Sequence, residues 1–215
     1  MSSIRAIVFD MDGVLIDAKE WHFEAFNRAL GLFGHTISRF EHTSRYDGLP
    51  TRDKLMMLTE ERGFPVGLHR VVNRMKQLYT LEIAAERCRP NTGHLRTLYR
   101  LKQEGFLLGL ASNSIRQTVD VLMQKSCLDQ LLSFTISNED VTHAKPDPEI
   151  YRKAMELAGV APDQTLVLED NPHGVAAAQA SGAHVLKIET VEDVNYANIR
   201  ACLDLVDRNR FRRVG

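Results

Sequence analysis

Five short apolar runs recur along the chain, and a polar residue follows most of them. They are residues 4–9, 106–111, 134–136, 165–168 and 184–188. Runs this apolar are typical of parallel strands that helices cover on both faces. Stretches with helical periodicity lie between them, at residues 92–104, 114–125, 148–158 and 172–181. This alternation predicts an α/β fold with a doubly wound parallel sheet.

Two of these helical stretches begin with recognisable signals. Ser114 and Gln117 have the spacing of a capping box, which predicts a helix start at that point. Asn171 precedes Pro172, which places a capping side chain before a proline at the first helical position. Both helices are therefore expected to begin directly after a strand.

The stretch from residue 16 to residue 89 interrupts the alternation. It contains three helical patterns, near residues 17–33, 51–62 and 68–86, and no convincing strand. We therefore predict a small all-helical cap domain over residues 16–89, inserted after the first strand. The α/β core domain would then consist of residues 1–15 and 90–215.

Composition argues against several classes of protein. The formal net charge of −1 disfavours a general nucleic-acid coat. No apolar run approaches the length of a membrane span, and the N-terminus lacks the pattern of a signal peptide. The three cysteines form no CxxC pair, so neither a zinc site nor a disulfide framework is expected. We expect a cytoplasmic monomer or weak dimer that binds neither nucleic acid nor membrane.

In open parallel sheets, ligands bind beyond the carboxyl ends of the strands. The polar residues expected there are Asp10, Asp12, Ser112, Lys145, Glu169 and Asp170. Asp10 offers a carboxylate nucleophile, and Asp12 can exchange protons with the leaving oxygen and with water. Lys145 adds a fixed positive charge for a phosphate, and Ser112 adds a hydroxyl donor. This combination predicts an enzyme that transfers a phosphoryl group from a small phosphorylated molecule.

The carboxylates in this set require a cation. Two like unit charges about 4 Å apart repel by roughly 4 kcal/mol at an effective dielectric constant near 20. Several carboxylates that face a phosphate dianion would therefore not hold it unaided. Mg²⁺ prefers oxygen ligands and keeps some of its waters, so we expect it as the cofactor.

Four segments resemble, in order, the four motifs of the haloacid dehalogenase-like (HAD) superfamily. They are Asp10-Met11-Asp12-Gly13-Val14, Ser112-Asn113-Ser114, Lys145-Pro146 and Glu169-Asp170-Asn171. The helical insert after the first motif looks like the cap of the β-phosphoglucomutase and phosphoglycolate phosphatase branch. The resemblance implies a HAD-like Rossmannoid core in which Asp10 is the nucleophile and Asp12 is the general acid and base.

The same resemblance implies binding roles for further residues. Ser112, Asn113 and Lys145 would bind the phosphate. The magnesium ligands would be Asp10, the Asp12 carbonyl, Glu169 and Asp170. In the cap, His22 and Arg52 would contact the substrate. The alternatives are that His22 is packed in the apolar stripe of its helix and that Arg52 is exposed to solvent at a helix start.

Two functions would use these residues. In a phosphatase, water attacks phospho-Asp10 and releases phosphate from a sugar phosphate or a similar monoester. In a β-phosphoglucomutase-like mutase, the phosphoryl group passes to a sugar hydroxyl. The sequence Leu-Pro-Thr-Arg that ends at Arg52 departs from the mutase pattern, in which the loop is a residue shorter and serine precedes the arginine. A third possibility is a non-catalytic signalling module, such as a receiver domain that is phosphorylated on aspartate. Receiver domains are much shorter and lack a helical insert after the first strand, which disfavours this possibility. We therefore predict a Mg²⁺-dependent phosphatase with an aspartyl-phosphate intermediate.

Overall fold

The chain forms two units in the computed structural model, which describes residues 3–214 and the side chains of residues 3–209. One unit, the core unit, combines Met1–Asp17 with Arg89–Gly215. The other, the helical unit, is Ala18–Cys88. The sequence predicted divisions after residue 15 and before residue 90, and the units divide after Asp17 and before Arg89.

A five-stranded parallel sheet lies at the centre of the core unit, which confirms the predicted fold class. Its strands are β1 (Ala6–Phe9), β2 (Leu107–Ala111), β3 (Phe134–Ile136), β4 (Thr165–Glu169) and β5 (His184–Lys187). Their order is β3-β2-β1-β4-β5. Strand β1 is central and pairs with β2 on one side and β4 on the other. The strand order reverses between β1 and β4, and such a switch is where open α/β sheets bind ligands.

Helices flank this sheet and cover its apolar strands. They are α5 (Thr92–Gln103), α6 (Arg116–Lys125), α7 (Glu149–Ala158), α8 (Pro172–Ala180) and α9 (Tyr196–Val214). All residues of β1 and β4 are buried, as expected for strands with two covered faces. Asn171 caps the start of α8 as predicted, and its side chain accepts a hydrogen bond from the His173 N–H at 3.0 Å.

Two features of these helices differ from the sequence predictions. The prediction of a capping box at Ser114 and Gln117 was wrong, because α6 begins at Arg116 and its N-cap residue Ile115 makes no side-chain cap bond. Helix α9 was not predicted. Among its described side chains only those of Ile199 and Leu203 are buried, so its apolar stripe is narrow.

The second unit is all helical, as predicted. Its helices are α1 (Lys19–Gly31), α2 (Arg39–Glu41), α3 (Thr51–Arg62) and α4 (His69–Arg87), and a π-helical turn spans His42–Tyr46. Helix α1 packs against α4 around a core that includes Phe26, Leu30, Tyr46 and Val72. Residues 18–88, all of which are described, contain no strand. None of the helices in the described chain has the length and hydropathy of a membrane span.

Candidate active site

The ends of the central strands bring the predicted core residues to one edge of the sheet. The Asp10 N–H donates to the Leu168 carbonyl at 3.0 Å and so extends the pairing of β1 with β4. The Ser112 N–H donates to the Ile136 carbonyl at 2.9 Å and extends β2 along β3. Glu169 is the last residue of β4. The backbone pairing therefore fixes where these side chains begin.

Lys145 connects three of the strand ends. Its Nζ donates to Asp10 Oδ1 at 2.6 Å, to Glu169 Oε1 at 2.6 Å and to the Ala111 carbonyl at 2.9 Å. An ammonium group has three protons, so each has an acceptor. The residue is only 4% exposed. Lys145 is therefore held rigidly beside Asp10, as a phosphate-binding cation would need to be.

The charges at this site do not balance. Burial alone would lower the pKa of Lys145, but the carboxylates of Asp10 and Glu169 raise it above its usual value, so the ammonium stays charged. Burial raises the pKa of Asp10 well above its usual range. Lys145 opposes this rise, whereas Glu169, Asp170 and Asp12 add to it. One lysine therefore does not offset the negative charge of the carboxylates.

Asn113 holds the backbone of Lys145. Its Oδ1 accepts from the Lys145 N–H at 3.1 Å, and its Nδ2 donates to the Lys145 carbonyl at 3.4 Å. The sequence predicted that Asn113 binds phosphate. In the structure its side-chain amide joins the segment after β2 to the lysine loop, which includes the cis Lys145-Pro146 peptide bond, and a contact of Asn113 with phosphate stays a prediction.

Asp12 lies in the turn that follows β1. Gly13 has a φ of 90°, in the left-handed region that favours glycine, and its N–H donates to the Ile16 carbonyl at 2.7 Å. Ser114 Oγ donates to Asp12 Oδ2 at 3.0 Å. The Ser114 N–H donates to Ser112 Oγ, also at 3.0 Å. Ser114 was interpreted from the sequence as a helix cap, whereas its hydroxyl orients the Asp12 carboxylate.

Both carboxylate oxygens of Glu169 are fully engaged by the protein. Oε1 accepts from Lys145 Nζ and, at 2.8 Å, from the Tyr151 hydroxyl. Oε2 accepts from the N–H groups of Asp170 and Asn171 at 3.0 and 3.2 Å. Each carboxylate oxygen has two lone pairs, so the four donors use all of them. In this arrangement Glu169 anchors Lys145 and has little capacity left for a metal ion.

Two members of this network, Tyr151 and Gly174, were not predicted from the sequence. A Cβ atom at Gly174 would lie 1.8 Å from Glu169 Oε1, so α8 can pass beside Glu169 only with a glycine at this position. A glycine inside a helix, which costs about 1 kcal/mol relative to alanine, was an available signal of such packing. Tyr151 gave no signal, because an aromatic residue on the buried face of a helix is typical of a core.

Asp10, Glu169 and Asp170 form a group that could hold a metal ion. One carboxylate oxygen from each lies within 4.8 Å of the others. A set of oxygen donors fits a hard cation such as Mg²⁺, and a divalent ion would offset the excess negative charge. Because Glu169 is already engaged by hydrogen bonds, Asp10 and Asp170 are the better candidates for direct ligands.

The two predicted cap residues lie in the helical unit. His22 is part of α1, and its Nδ1 lies 3.1 Å from Lys76 Nζ of α4. His22 therefore has a polar partner in its own unit and is not simply packed among apolar side chains. Arg52 is exposed at the second position of α3. A contact of either residue with substrate remains a prediction.

Sequence comparisons connect the chain to enzymes that act on phosphates. The family model described as haloacid dehalogenase-like hydrolase matches residues 7–188. A phosphorylated carbohydrates phosphatase of Thermotoga maritima is 29% identical over 179 residues, which cover 83% of this chain and 82% of that protein. The pyrophosphatase PpaX of Oceanobacillus iheyensis is 28% identical over 198 residues, which cover 90% of this chain and 88% of that protein.

Solved structures with the same fold include two that are more distant in sequence. A β-phosphoglucomutase from Clostridium difficile superposes with a TM-score of 0.80 at 18% identity, over 94% of this chain and 98% of that one. CbbY from Rhodobacter sphaeroides, solved in complex with phosphate, superposes with a TM-score of 0.76 at 24% identity, over 85% and 84% of the two chains. At these identities the likeness establishes the fold.

Proposed function

The chain belongs to the haloacid dehalogenase-like hydrolase family and is one of its phosphatases, and we propose that it hydrolyses a small phosphate monoester, such as a sugar phosphate, through an aspartyl-phosphate at Asp10. One observation carries this proposal. The Asp10 carboxylate is buried at the end of the central strand, 2.6 Å from the Lys145 ammonium, and a second aspartate follows two residues later.

The first step forms the phosphoenzyme. Asp10 Oδ1 accepts the Lys145 hydrogen bond, so we assign the attack on phosphorus to Oδ2. A bond forms between Oδ2 and phosphorus as the bond from phosphorus to the ester oxygen breaks. Asp12 gives its proton to the leaving oxygen, which departs as an alcohol. The Lys145 ammonium stabilises the negative charge on the phosphoryl oxygens.

The second step returns the enzyme to its starting state. Asp12, now a carboxylate, takes a proton from a water molecule, and the resulting hydroxide attacks phosphorus. The bond from phosphorus to Asp10 breaks, and inorganic phosphate leaves. The hydrogen bond from Ser114 to Asp12 Oδ2 orients this carboxylate, so we assign the proton transfers to Oδ1.

We propose Mg²⁺ as the cofactor, held by Asp10, Asp170 and the backbone carbonyl of Asp12. When bound, the ion would supply positive charge that offsets the repulsion between these carboxylates and a phosphate dianion. Glu169 would act on Lys145 and on the backbone of Asp170 instead of binding the ion directly. The basis for this division is that Glu169 already accepts four hydrogen bonds.

The names of the relatives support two classes of substrate. The Thermotoga maritima enzyme is named for phosphorylated carbohydrates, which supports a sugar phosphate. Pyrophosphate is the second candidate, because several relatives are named pyrophosphatase PpaX. Both are small phosphates. Asp12 could protonate the leaving oxygen of either substrate, so the mechanism does not decide between them. We favour the sugar phosphate because of the Thermotoga maritima relative, which is named for phosphorylated carbohydrates.

A panel of phosphate esters separates these candidates. We expect a sugar phosphate to give the highest kcat/KM when free phosphate is measured in the presence of Mg²⁺. Pyrophosphate should be hydrolysed more slowly than the best ester. If pyrophosphate has the highest kcat/KM, the second candidate is correct. A panel on which the enzyme releases no phosphate from any member would contradict the proposed substrate class.

The same preparation tests the mutase alternative. β-Glucose 1-phosphate with a trace of the 1,6-bisphosphate should yield little glucose 6-phosphate, because the loop at Arg52 departs from the mutase pattern. Free phosphate should instead accumulate from the best ester of the panel. Rapid isomerisation without release of phosphate would reverse this ranking of the two activities.

A further inference from the structure

Tyr151 places a polar group inside an apolar cluster. The residue lies on α7 and packs with Val8, Ile150 and Val167 in the core. Its hydroxyl donates to Glu169 Oε1 at 2.8 Å. A buried hydroxyl costs free energy unless it is hydrogen-bonded, and phenylalanine would fill the same space without that requirement. Packing therefore explains the ring of Tyr151 but not its hydroxyl.

The ring of Tyr151 also faces the catalytic lysine. Lys145 Nζ lies 4.8 Å from the ring centroid, which is within the range of a cation–π interaction. The tyrosine thus contacts both members of the ion pair that Lys145 forms with Glu169 at 2.6 Å. Its hydroxyl and Lys145 Nζ share a single acceptor, Glu169 Oε1. Any movement of this oxygen would move the lysine that depends on it.

Glu169 is confined on its other sides by backbone. Its Oε2 accepts from the N–H groups of Asp170 and Asn171. At Gly174 there is no room even for a methyl group beside Oε1. The backbone N–H groups bind Oε2, so the direction of Oε1 is set by its own two donors, the Tyr151 hydroxyl and Lys145 Nζ.

We propose that Tyr151 is a positioning residue for phosphoryl transfer, a role that rests on the function proposed above. It acts through Glu169 to keep the Lys145 ammonium at its hydrogen-bonding distance from Asp10. The effect of a fixed charge on a reaction depends on its placement relative to the charge that develops. Loss of the hydroxyl should therefore slow the chemical step more than it weakens substrate binding.

The variant Tyr151→Phe tests this role, because it keeps the ring and removes the hydroxyl. We expect kcat to fall roughly tenfold, the scale of one hydrogen bond to a charged group, while KM changes by less than about twofold. Tyr99→Phe is the matched control. Tyr99 lies on α5 and is 58% exposed, so this variant should match the wild type in both constants.

A double-mutant cycle with Glu169→Gln tests whether Tyr151 acts through Glu169. If it does, adding Tyr151→Phe to Glu169→Gln should lower kcat by less than about twofold, because the contact is already altered. Separate losses that multiply in the double variant would show that the two residues act independently. That outcome would overturn the proposal.

Stability measurements distinguish positioning from packing. Each variant is unfolded with urea, and kcat is expressed per folded enzyme. If Tyr151→Phe lowers the free energy of unfolding but leaves kcat per folded enzyme unchanged, Tyr151 is a packing residue and the proposal fails. A wild type that releases no phosphate from any ester would refute the proposed function instead, so the two failures are distinguishable.

Discussion

Asp10→Asn is expected to lower kcat by at least about a thousandfold, the scale seen when enzymes lose a nucleophile. An amide does not attack phosphorus, although it has nearly the size and shape of the carboxylate. The amide oxygen can still accept from Lys145, which keeps Glu169 as its charged partner. The variant also removes one of several mutually repelling carboxylates. It should therefore fold and be no less stable than the wild type when no metal is added.

The measurement is kcat on the best ester of the panel, together with urea unfolding of both proteins in chelator. Asp120→Asn is the matched control, because Asp120 lies on α6 and its side chain is 60% exposed. This control should keep the wild-type kcat. If the kcat of folded Asp10→Asn enzyme lies within about tenfold of the wild-type value, Asp10 is not the nucleophile, because loss of a nucleophile lowers kcat far more than that.

Removal of divalent metal is expected to reduce turnover to background, and added Mg²⁺ should restore it. The reason is the uncompensated charge of Asp10, Asp170 and their neighbours, which would repel a phosphate dianion. Ca²⁺ should restore little activity, since its larger and more flexible coordination shell would misplace the attacking carboxylate. Full turnover in excess chelator would contradict the proposed cofactor.

Calorimetric titration with Mg²⁺ tests the ligand assignment without a turnover assay. Asp170→Asn should lose most of the Mg²⁺ affinity because a direct ligand is removed. Glu169→Gln should lose much less, because the oxygens of Glu169 are used by Lys145, Tyr151 and backbone N–H groups. The reverse order of affinities would show that Glu169, not Asp170, binds the ion directly.

The fold was predictable because its signals are local. Apolar runs separated by helical periodicity predicted all five strands. Strand β1 ends directly before Asp10, and β4 ends at Glu169, so both strand ends coincide with polar residues that the sequence analysis selected. The insert was recognised because it broke this alternation. Helix α9 was missed since its periodicity is weak: only Ile199 and Leu203 among its described side chains are buried.

The partners within the site were less predictable, because they are distant in sequence. Asn113 and Lys145 are 32 positions apart, and nothing in either segment indicates that the amide holds the lysine backbone. Ser114 and Asp12 are separated by 102 positions, so the local capping pattern at Ser114 was misleading. Lys145 itself was expected at the site because ligands bind beyond the carboxyl ends of parallel strands, and the resemblance to known motifs supported this placement.

The central claim is that the phosphoryl group passes through Asp10. The most direct test quenches the enzyme with acid during turnover of an aryl phosphate, whose good leaving group makes hydrolysis of the phosphoenzyme the slow step. Peptide mass spectrometry then locates the phosphoryl group. We predict that it lies on Asp10, is released by hydroxylamine as an acyl phosphate should be, and is absent from Asp10→Asn. A phosphoryl group on any other residue, or one that persists in Asp10→Asn, would contradict the proposed mechanism.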